Sequence, residues 1–271
     1  MEINKDYLNY LSHIIYSYCG INIQEKKYEF LENRLYRRLK SYNFTGIEEY
    51  CEYIKRDSSG CELKELVNAV CTNTTEFFRG IPHFEFLNEY FKKLFRVKVD
   101  NIHIWSAACS SGEEPYSIAM LAAENLLNFK SIDFKILASD IDSGALTEAI
   151  TGVYNKSKIS KINNKLLQKY FVQDGNDNFR INEYIRKYIF FRQLNLIDTS
   201  PFDAKFDIIF CRNVLIYFDT DTRERVINNL CSRMKPTGFL FIGHTESLIN
   251  LDLKFKLKYI QPSVYQIQGE N

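Results

Sequence analysis

From about residue 100 onward the chain alternates short, continuously apolar runs with stretches of helical periodicity, and this restricts the fold more than any other feature. The runs at 102–106, 134–138, 206–211 and 239–243 show no inward-outward alternation, so each reads as a strand buried on both faces. Strands of that kind need helices on both sides, which makes residues 72–271 a doubly wound, Rossmann-like α/β domain with a parallel sheet. Pro82 opens an amphipathic helix through Phe84, Leu87 and Phe91 just before the first strand. Two further strands are expected around the Gln261-Pro262 turn.

Residues 1–71 lack any such run. Tyr7, Leu8, Leu11, Ile14, Ile15 and Tyr18 share one helical face, and Gly20 closes that helix. Tyr28, Leu31, Leu35 and Leu39 mark a second helix, Ile47, Tyr50 and Ile54 a third, and Leu63, Leu66, Val67 and Val70 a fourth. This is a small all-helical domain. One stretch of the α/β part departs from its pattern: at 170–192 a DGNDN turn sits between β-rich flanks, predicting a small antiparallel insertion over about 168–192.

The charge balance, 35 basic against 34 acidic side chains, excludes a globally basic nucleic-acid binder. An apolar share of 45% excludes a disordered chain. The seven cysteines are scattered and never form CxxC, so they read as reduced thiols of a cytoplasmic protein. Charges near the N-terminus do not suit a signal peptide, and the apolar run at 118–123 is too short to span a bilayer.

Three strand ends carry the chemistry. After the first strand comes SAACSSGEEPYS, a loop of small residues that lets a ligand approach the backbone. It has one glycine and two acids, Glu113 and Glu114, where a phosphate cradle needs several glycines and a free helix N-terminus. A cationic or hydroxyl-rich ligand fits better, although Ser111 and Glu114 also have capping-box spacing. The second strand ends at Asp140 and Asp142; the first is placed to accept hydroxyls, the second to cap a helix. The third ends at Arg212, Asn213 and Tyr217, and Asn195-Leu196 closes a further strand-like segment. Thr72 to Arg79 reads TNTTEFFR and joins the two domains, as a capped turn or as a linker aiming a cation into the cleft.

TNTTEFFR, IWSAACSSGEEPYSIA, LASDID, FDIIFCRNVLIYF and GFLFIGHTES, in this order, resemble the chemotaxis receptor glutamate O-methyltransferases, the CheR family. The resemblance extends through GINIQEKKYEFLENRLYRRLK and so covers essentially the whole chain. It implies transfer of a methyl group from S-adenosylmethionine to glutamate carboxylates on the cytoplasmic helical domain of methyl-accepting chemoreceptors. It also implies a monomer recruited to receptor arrays, with no metal, no nucleic acid and no membrane insertion. By motif, the cofactor contacts would be Asn73, Thr75, Arg79, Glu114, Asp140, Asn195, Leu196, Arg212 and Asn213. Tyr217 matches a tyrosine near the reactive centre, and Arg79 and Tyr217 are the candidates for orienting the carboxylate or the methyl donor. Cys109 departs from the usual Ala or Gly but fits the space. The other readings are a methyltransferase of a different substrate and a non-catalytic S-adenosylmethionine sensor.

On the second helix Lys27, Arg34, Arg37 and Arg38 fall on one side, opposite Leu31, Leu35 and Leu39. Residues 1–71 hold 10 basic and 11 acidic side chains, so this is a local stripe. The resemblance implies that it holds a glutamate-rich receptor helix. The short Asp174–Asn178 turn lacks the longer glycine-rich form of relatives that bind a receptor tether peptide, so independence of a tether is expected.

Overall fold

The computed structural model describes residues 5–97, 99–127, 132–199 and 201–269. The chain divides into two units, one holding the N-terminal helices up to Thr72 with Ile216–Arg223, the other Asn73–Leu215 with the remainder.

The helical unit follows from its apolar spacing. Helices α1 (Lys5–Cys19), α2 (Tyr28–Ser41), α3 (Ile47–Arg56) and α4 (Cys61–Val70) bury Leu8, Leu11 and Ile15, Leu31 and Leu35, Tyr50 and Ile54, and Leu66, Val67 and Val70. A 3₁₀ turn, Glu25–Lys27, precedes α2. Inside this core lies one charged pair. Arg38 forks onto Glu62, with Nη2 to Oε2 at 2.6 Å, and their side chains are 11% and 6% exposed. The Tyr50 hydroxyl donates to Glu62 Oε1 at 2.6 Å, and burial pushes that phenol well above its ordinary range, so it stays a donor. Arg38 therefore does not belong to the expected surface stripe. On a helix whose apolar stripe is this narrow, a long side chain beside it can turn inward when a carboxylate awaits it.

The second unit is built on a seven-stranded sheet. In chain order its strands are β1 (Asn101–Ser106), β2 (Asp133–Asp140), β6 (Ile189–Gln193), β7 (Phe206–Cys211), β8 (Met234–Ile242), β9 (Leu257–Gln261) and β10 (Val264–Ile267). Across the sheet they run β6-β2-β1-β7-β8-β10-β9, parallel from β6 to β8 and antiparallel beyond. This is the doubly wound, Rossmann-like fold expected. β1 and β7 are buried almost continuously because both faces are covered. α5 (Ile81–Phe95) contributes Phe84, Leu87 and Phe91 to the same core as α6 (Glu113–Ala122), which is buried nearly all round. α7 (Ser143–Thr151) follows β2, and α11 (Thr220–Cys231) precedes β8. The strand order reverses at β1, so the crevice for a ligand lies at the carboxyl ends of β1, β2 and β7.

Between α7 and β6 sits a separate antiparallel sheet of β3 (Val153–Asn155), β5 (Asn178–Ile181) and β4 (Phe171–Gln173), with β5 central. Short helices α8 (Lys156–Ile159), α9 (Asn164–Tyr170) and α10 (Glu183–Arg186) accompany it. The DGNDN turn joins β4 to β5 as expected. The predicted insertion, about 168–192, needs correction at both ends. β3 lies earlier, and Ile189–Gln193 pairs in parallel with β2 as the edge of the large sheet. A strand of Ile, Phe and Phe is compatible with either sheet; only its partner decides. Among the described residues no helix is long and apolar enough to cross a membrane.

Removing one member of a buried ion pair strands the other charge, at a cost of about 3–5 kcal/mol. Arg38→Ala should therefore lower the stability of the helical unit by about that amount, whereas exposed Arg37→Ala should stay within about 0.5 kcal/mol. Equal denaturant midpoints for the two variants would show that the pair is not structural.

Candidate active site

β1 delivers Ser106, and the chain then turns through small residues into α6. Gly112 precedes α6 with φ 95°, a left-handed backbone that a side chain rarely adopts. A Cβ there would also meet Ala149 and the Tyr154 hydroxyl at 2.9 Å. Of the two readings the spacing allows, the capping box does not form, since no side chain caps α6. Its members have other partners: Ser111 Oγ donates to Glu113 at 2.8 Å, and Glu114 points into the crevice. Glu114 accepts from Ser106 Oγ at 2.7 Å and from Arg212 Nη1 at 2.9 Å. This pair is buried on both sides, at 3% and 11% side-chain exposure, and links the ends of β1 and β7.

Asp140, at the end of β2, is 9% exposed. Its Oδ2 accepts from the Ser110 amide at 2.7 Å and its Oδ1 from the Asp142 amide at 3.0 Å. Burial outweighs these bonds and pushes its carboxyl above the usual range. Asp142 caps α7 through Gly144 and Ala145, as expected, and also accepts from Asn73 Nδ2 at 2.5 Å. That contact draws the 73–80 segment onto the crevice. Asn73 further accepts from Ser110 Oγ at 3.3 Å through its carbonyl, and Thr75 is half-buried on the same segment. Arg79 places Nη1 on the Thr74 carbonyl at 2.7 Å, while its own carbonyl accepts from Arg212 Nη2 at 2.7 Å. Gly80 lets this happen: a Cβ would lie 2.5 Å from Arg212 Nη2 and 2.7 Å from His244 Nε2.

Asn195 and Leu196 follow β6 and line a cavity of about 220 Å³ together with Trp105, Gln193 and Asn229. Trp105 is oriented by Nε1–H donation to Ser139 Oγ at 2.8 Å. Asn213 follows β7 with φ 58°, and its amide donates to Glu246 at 3.1 Å. Phe78 (φ 55°) and Ser110 (φ 49°) are left-handed too, so strained backbone gathers around this crevice.

Asn73 and Asp140 thus share one hydrogen-bonded cluster with Asp142 and Ser110, and Glu114 and Arg212 share a second with Ser106 and the Arg79 carbonyl; Arg79 also reaches the Thr74 carbonyl beside Asn73, and Thr75, Asn213 and the Asn195-Leu196 pair lie on loops of the same unit. Tyr217, Lys27, Arg34, Arg37 and Arg38 belong to the helical unit, where the Tyr217 carbonyl accepts from the Asn22 amide at 2.8 Å. Lys27 and Arg37 are exposed, and Arg34 stacks over Phe30 at 5.2 Å from the ring centre.

Sequence reasoning overlooked His83, Ser106, Tyr154, Lys158, His244 and Glu246. His83 is fully buried on α5, stacked on His244 at 4.5 Å, and burial, with Arg212 adding to it, pushes its imidazole down to about 3. It is therefore neutral at physiological pH. A lone histidine in an amphipathic helix gives no sign of this in sequence. Chemically, the crevice offers the carboxylates of Glu114 and Asp140 beside the Arg212 guanidinium, which suits a ligand with hydroxyls and a positive charge. Among the described residues no group of His, Cys, Asp or Glu is arranged to hold a metal.

Comparison with known proteins agrees with this geometry. Residues 73–264 match the family described as CheR methyltransferase, SAM binding domain, and residues 6–71 match CheR methyltransferase, all-alpha domain. The chemotaxis protein methyltransferase of Borreliella burgdorferi is 41% identical over 98% of this chain and 95% of its own length. That of Escherichia coli is 33% identical over 95% of this chain and 90% of its own. Both family models and these relatives cover nearly the full length of the chain, which belongs to the CheR methyltransferase family.

Proposed function

We propose that this protein transfers the methyl group of S-adenosylmethionine to glutamate side-chain carboxylates of chemoreceptors, as a protein-glutamate O-methyltransferase of chemotactic adaptation. The observation that carries the reading is Asp140. A carboxylate offers about four acceptor positions; the Ser110, Asp142 and Ile141 amides engage Asp140, and the capacity that remains at the strand end is proposed for a ribose hydroxyl. When bound, the cofactor would supply a methyl group on a cationic sulfonium: the carboxylate oxygen gains the O–C bond as the S–C bond breaks, S-adenosylhomocysteine leaves as a neutral thioether, and no proton changes hands.

The residues of this chain bind and orient. Glu114, held by Arg212 and Ser106, supplies negative potential at the crevice floor. Asn195 and Leu196 border the cavity proposed for the base. Asn73 and Thr75 close over the crevice from the 73–80 segment, and Asn213 contributes from the end of β7. Arg79 and Tyr217 are the proposed groups on the acceptor side. Free glutamate has a pKa of about 4.3, so the nucleophile is already ionised at neutral pH, and neither a general base nor a metal is called for. Rate then comes from alignment and exclusion of water.

Incubation with methyl-labelled S-adenosylmethionine and receptor-bearing membranes tests the reaction. Base-labile label on the receptor is expected. Cofactor binding without transfer would make the protein a sensor, and label on a small molecule or nucleic acid would make it a different methyltransferase.

Asp140 gives a pH signature. Its carboxyl takes up a proton at higher pH than an ordinary aspartate, and the protonated form is a poorer acceptor. Cofactor affinity should therefore fall on acidification, starting above the usual aspartate range. By linkage the folded state gains stability over the same fall, because a raised carboxyl pKa favours the protonated fold. Asp140→Asn should weaken binding at neutral pH by about tenfold or more and abolish this pH step. It should also cost stability, because Asp140 holds two loop amides, which departs from the expectation of a purely ligand-facing acid. Unchanged calorimetric affinity in a folded variant would remove Asp140 from the site.

Receptor recognition is proposed to fall to Lys27, Arg34 and Arg37; Arg38 leaves the stripe, being committed to Glu62. Arg34→Glu with Arg37→Glu should raise the apparent KM for receptor at low salt and leave cofactor affinity unchanged. Removing the receptor's C-terminal tail should change neither parameter if recognition is tether-independent. Wild-type kinetics in the double variant, or a large loss on tail removal, would refute this assignment.

A further inference from the structure

Two side chains, Tyr154 of β3 and Lys158 of α8, reach the loop that follows β1. Glu113 is completely buried, and a buried carboxylate must be paired. Its partners are Ser111 Oγ at 2.8 Å and Lys158 Nζ at 3.1 Å, the latter reaching in from α8 directly after β3. Lys158 is 38% exposed at its side chain, donates to Ser111 Oγ at 3.2 Å and passes Tyr154 at 5.7 Å from the ring centre. Tyr154 itself is 2% exposed, and its hydroxyl donates to the Ser111 carbonyl at 2.6 Å. The same hydroxyl abuts Gly112, at 2.9 Å from where a Cβ would stand.

The loop so held is left-handed at Ser110 and again at Gly112, and such a backbone persists only where its surroundings over-determine it. Asp140 grips one side of it through the Ser110 amide. β3 and α8 grip the other. We propose that Lys158 and Tyr154 are positioning residues for the loop at 110–112, setting the affinity for S-adenosylmethionine without touching it. This rests on the reading above, in which that loop lies against the cofactor. The antiparallel sheet is then a brace for the methyl-donor site as well as an appendage.

The test uses the full chain with Lys158→Met, which keeps an aliphatic stem, Tyr154→Phe, which removes only the hydroxyl, and Lys158→Arg, which restores a cation. Arg180→Ala serves as control, since it breaks the exposed Arg180–Asp174 pair and a bond to the Thr151 carbonyl ahead of β3 without reaching the loop. Calorimetry with S-adenosylmethionine, hydrogen exchange at the Ser110 and Gly112 amides, and receptor methylation at saturating cofactor are the readouts. Lys158→Met and Tyr154→Phe should each weaken binding by about tenfold and speed loop exchange, with kcat unchanged. Lys158→Arg should recover most of the affinity, and Arg180→Ala should bind as wild type. Wild-type exchange and affinity in both folded variants would overturn the proposal. Faster exchange with wild-type affinity would overturn it differently, by showing that the loop does not serve the cofactor. Equal weakening by Arg180→Ala would reduce the effect to general loosening of the sheet.

Discussion

The buried pair between Arg212 and Glu114 is the interaction on which the crevice depends. A guanidinium at 3% exposure is tolerated when it is paired, and here its two terminal nitrogens reach elements far apart in sequence, while its buried Nε has no partner among the described residues. One arm holds Glu114 at the start of α6, and the other holds the Arg79 carbonyl in the segment that enters the domain. Ser106 completes the Glu114 carboxylate from the end of β1. Four chain segments thus meet around one ion pair, and a second acid, Asp140, organises the neighbouring loop by the same logic of satisfied buried charge.

This arrangement explains why the crevice needs few glycines. A phosphate site uses bare amides and backbone freedom to surround a diffuse negative charge. Here the loop is held by side chains: Asp140 on the Ser110 amide, Tyr154 on the Ser111 carbonyl, Glu113 on the Ser111 hydroxyl. Glycine remains where backbone approach demands it, at Gly112 against Tyr154 and at Gly80 against Arg212. The acids that end these strands suit a ligand bearing hydroxyls and a positive charge, and the family model matched by residues 73–264 is that of a SAM binding domain.

Much of this was legible in sequence for a physical reason. Strands buried on both faces must be continuously apolar, so four of the seven strands of the large sheet, and the parallel α/β class, announce themselves. Residues at strand ends are polar because a crevice opens there, which is why Asp140, Arg212 and Asn195 stand out after apolar runs. Arg38 departs from the expected stripe because it stands seven residues, about two turns, from Leu31 and so beside the apolar face; Glu62, 24 residues away, meets it there. The capping box at Ser111 and Glu114 failed for the same reason, since Arg212, 98 residues on, competes for the carboxylate.

The sequence by itself determined the two-part organisation, the class of each part and the acids at the strand ends, because local periodicity and hydrophobic burial are properties of neighbouring residues. Tertiary structure alone decided the partners of the charged groups. It assigned Ile189–Gln193 to the large sheet, put Lys158 beneath the loop after β1, and stacked His83 on His244. Those outcomes turn on which groups are left to compensate a buried charge or fill a gap, and the groups come from remote segments that meet only when the chain is folded.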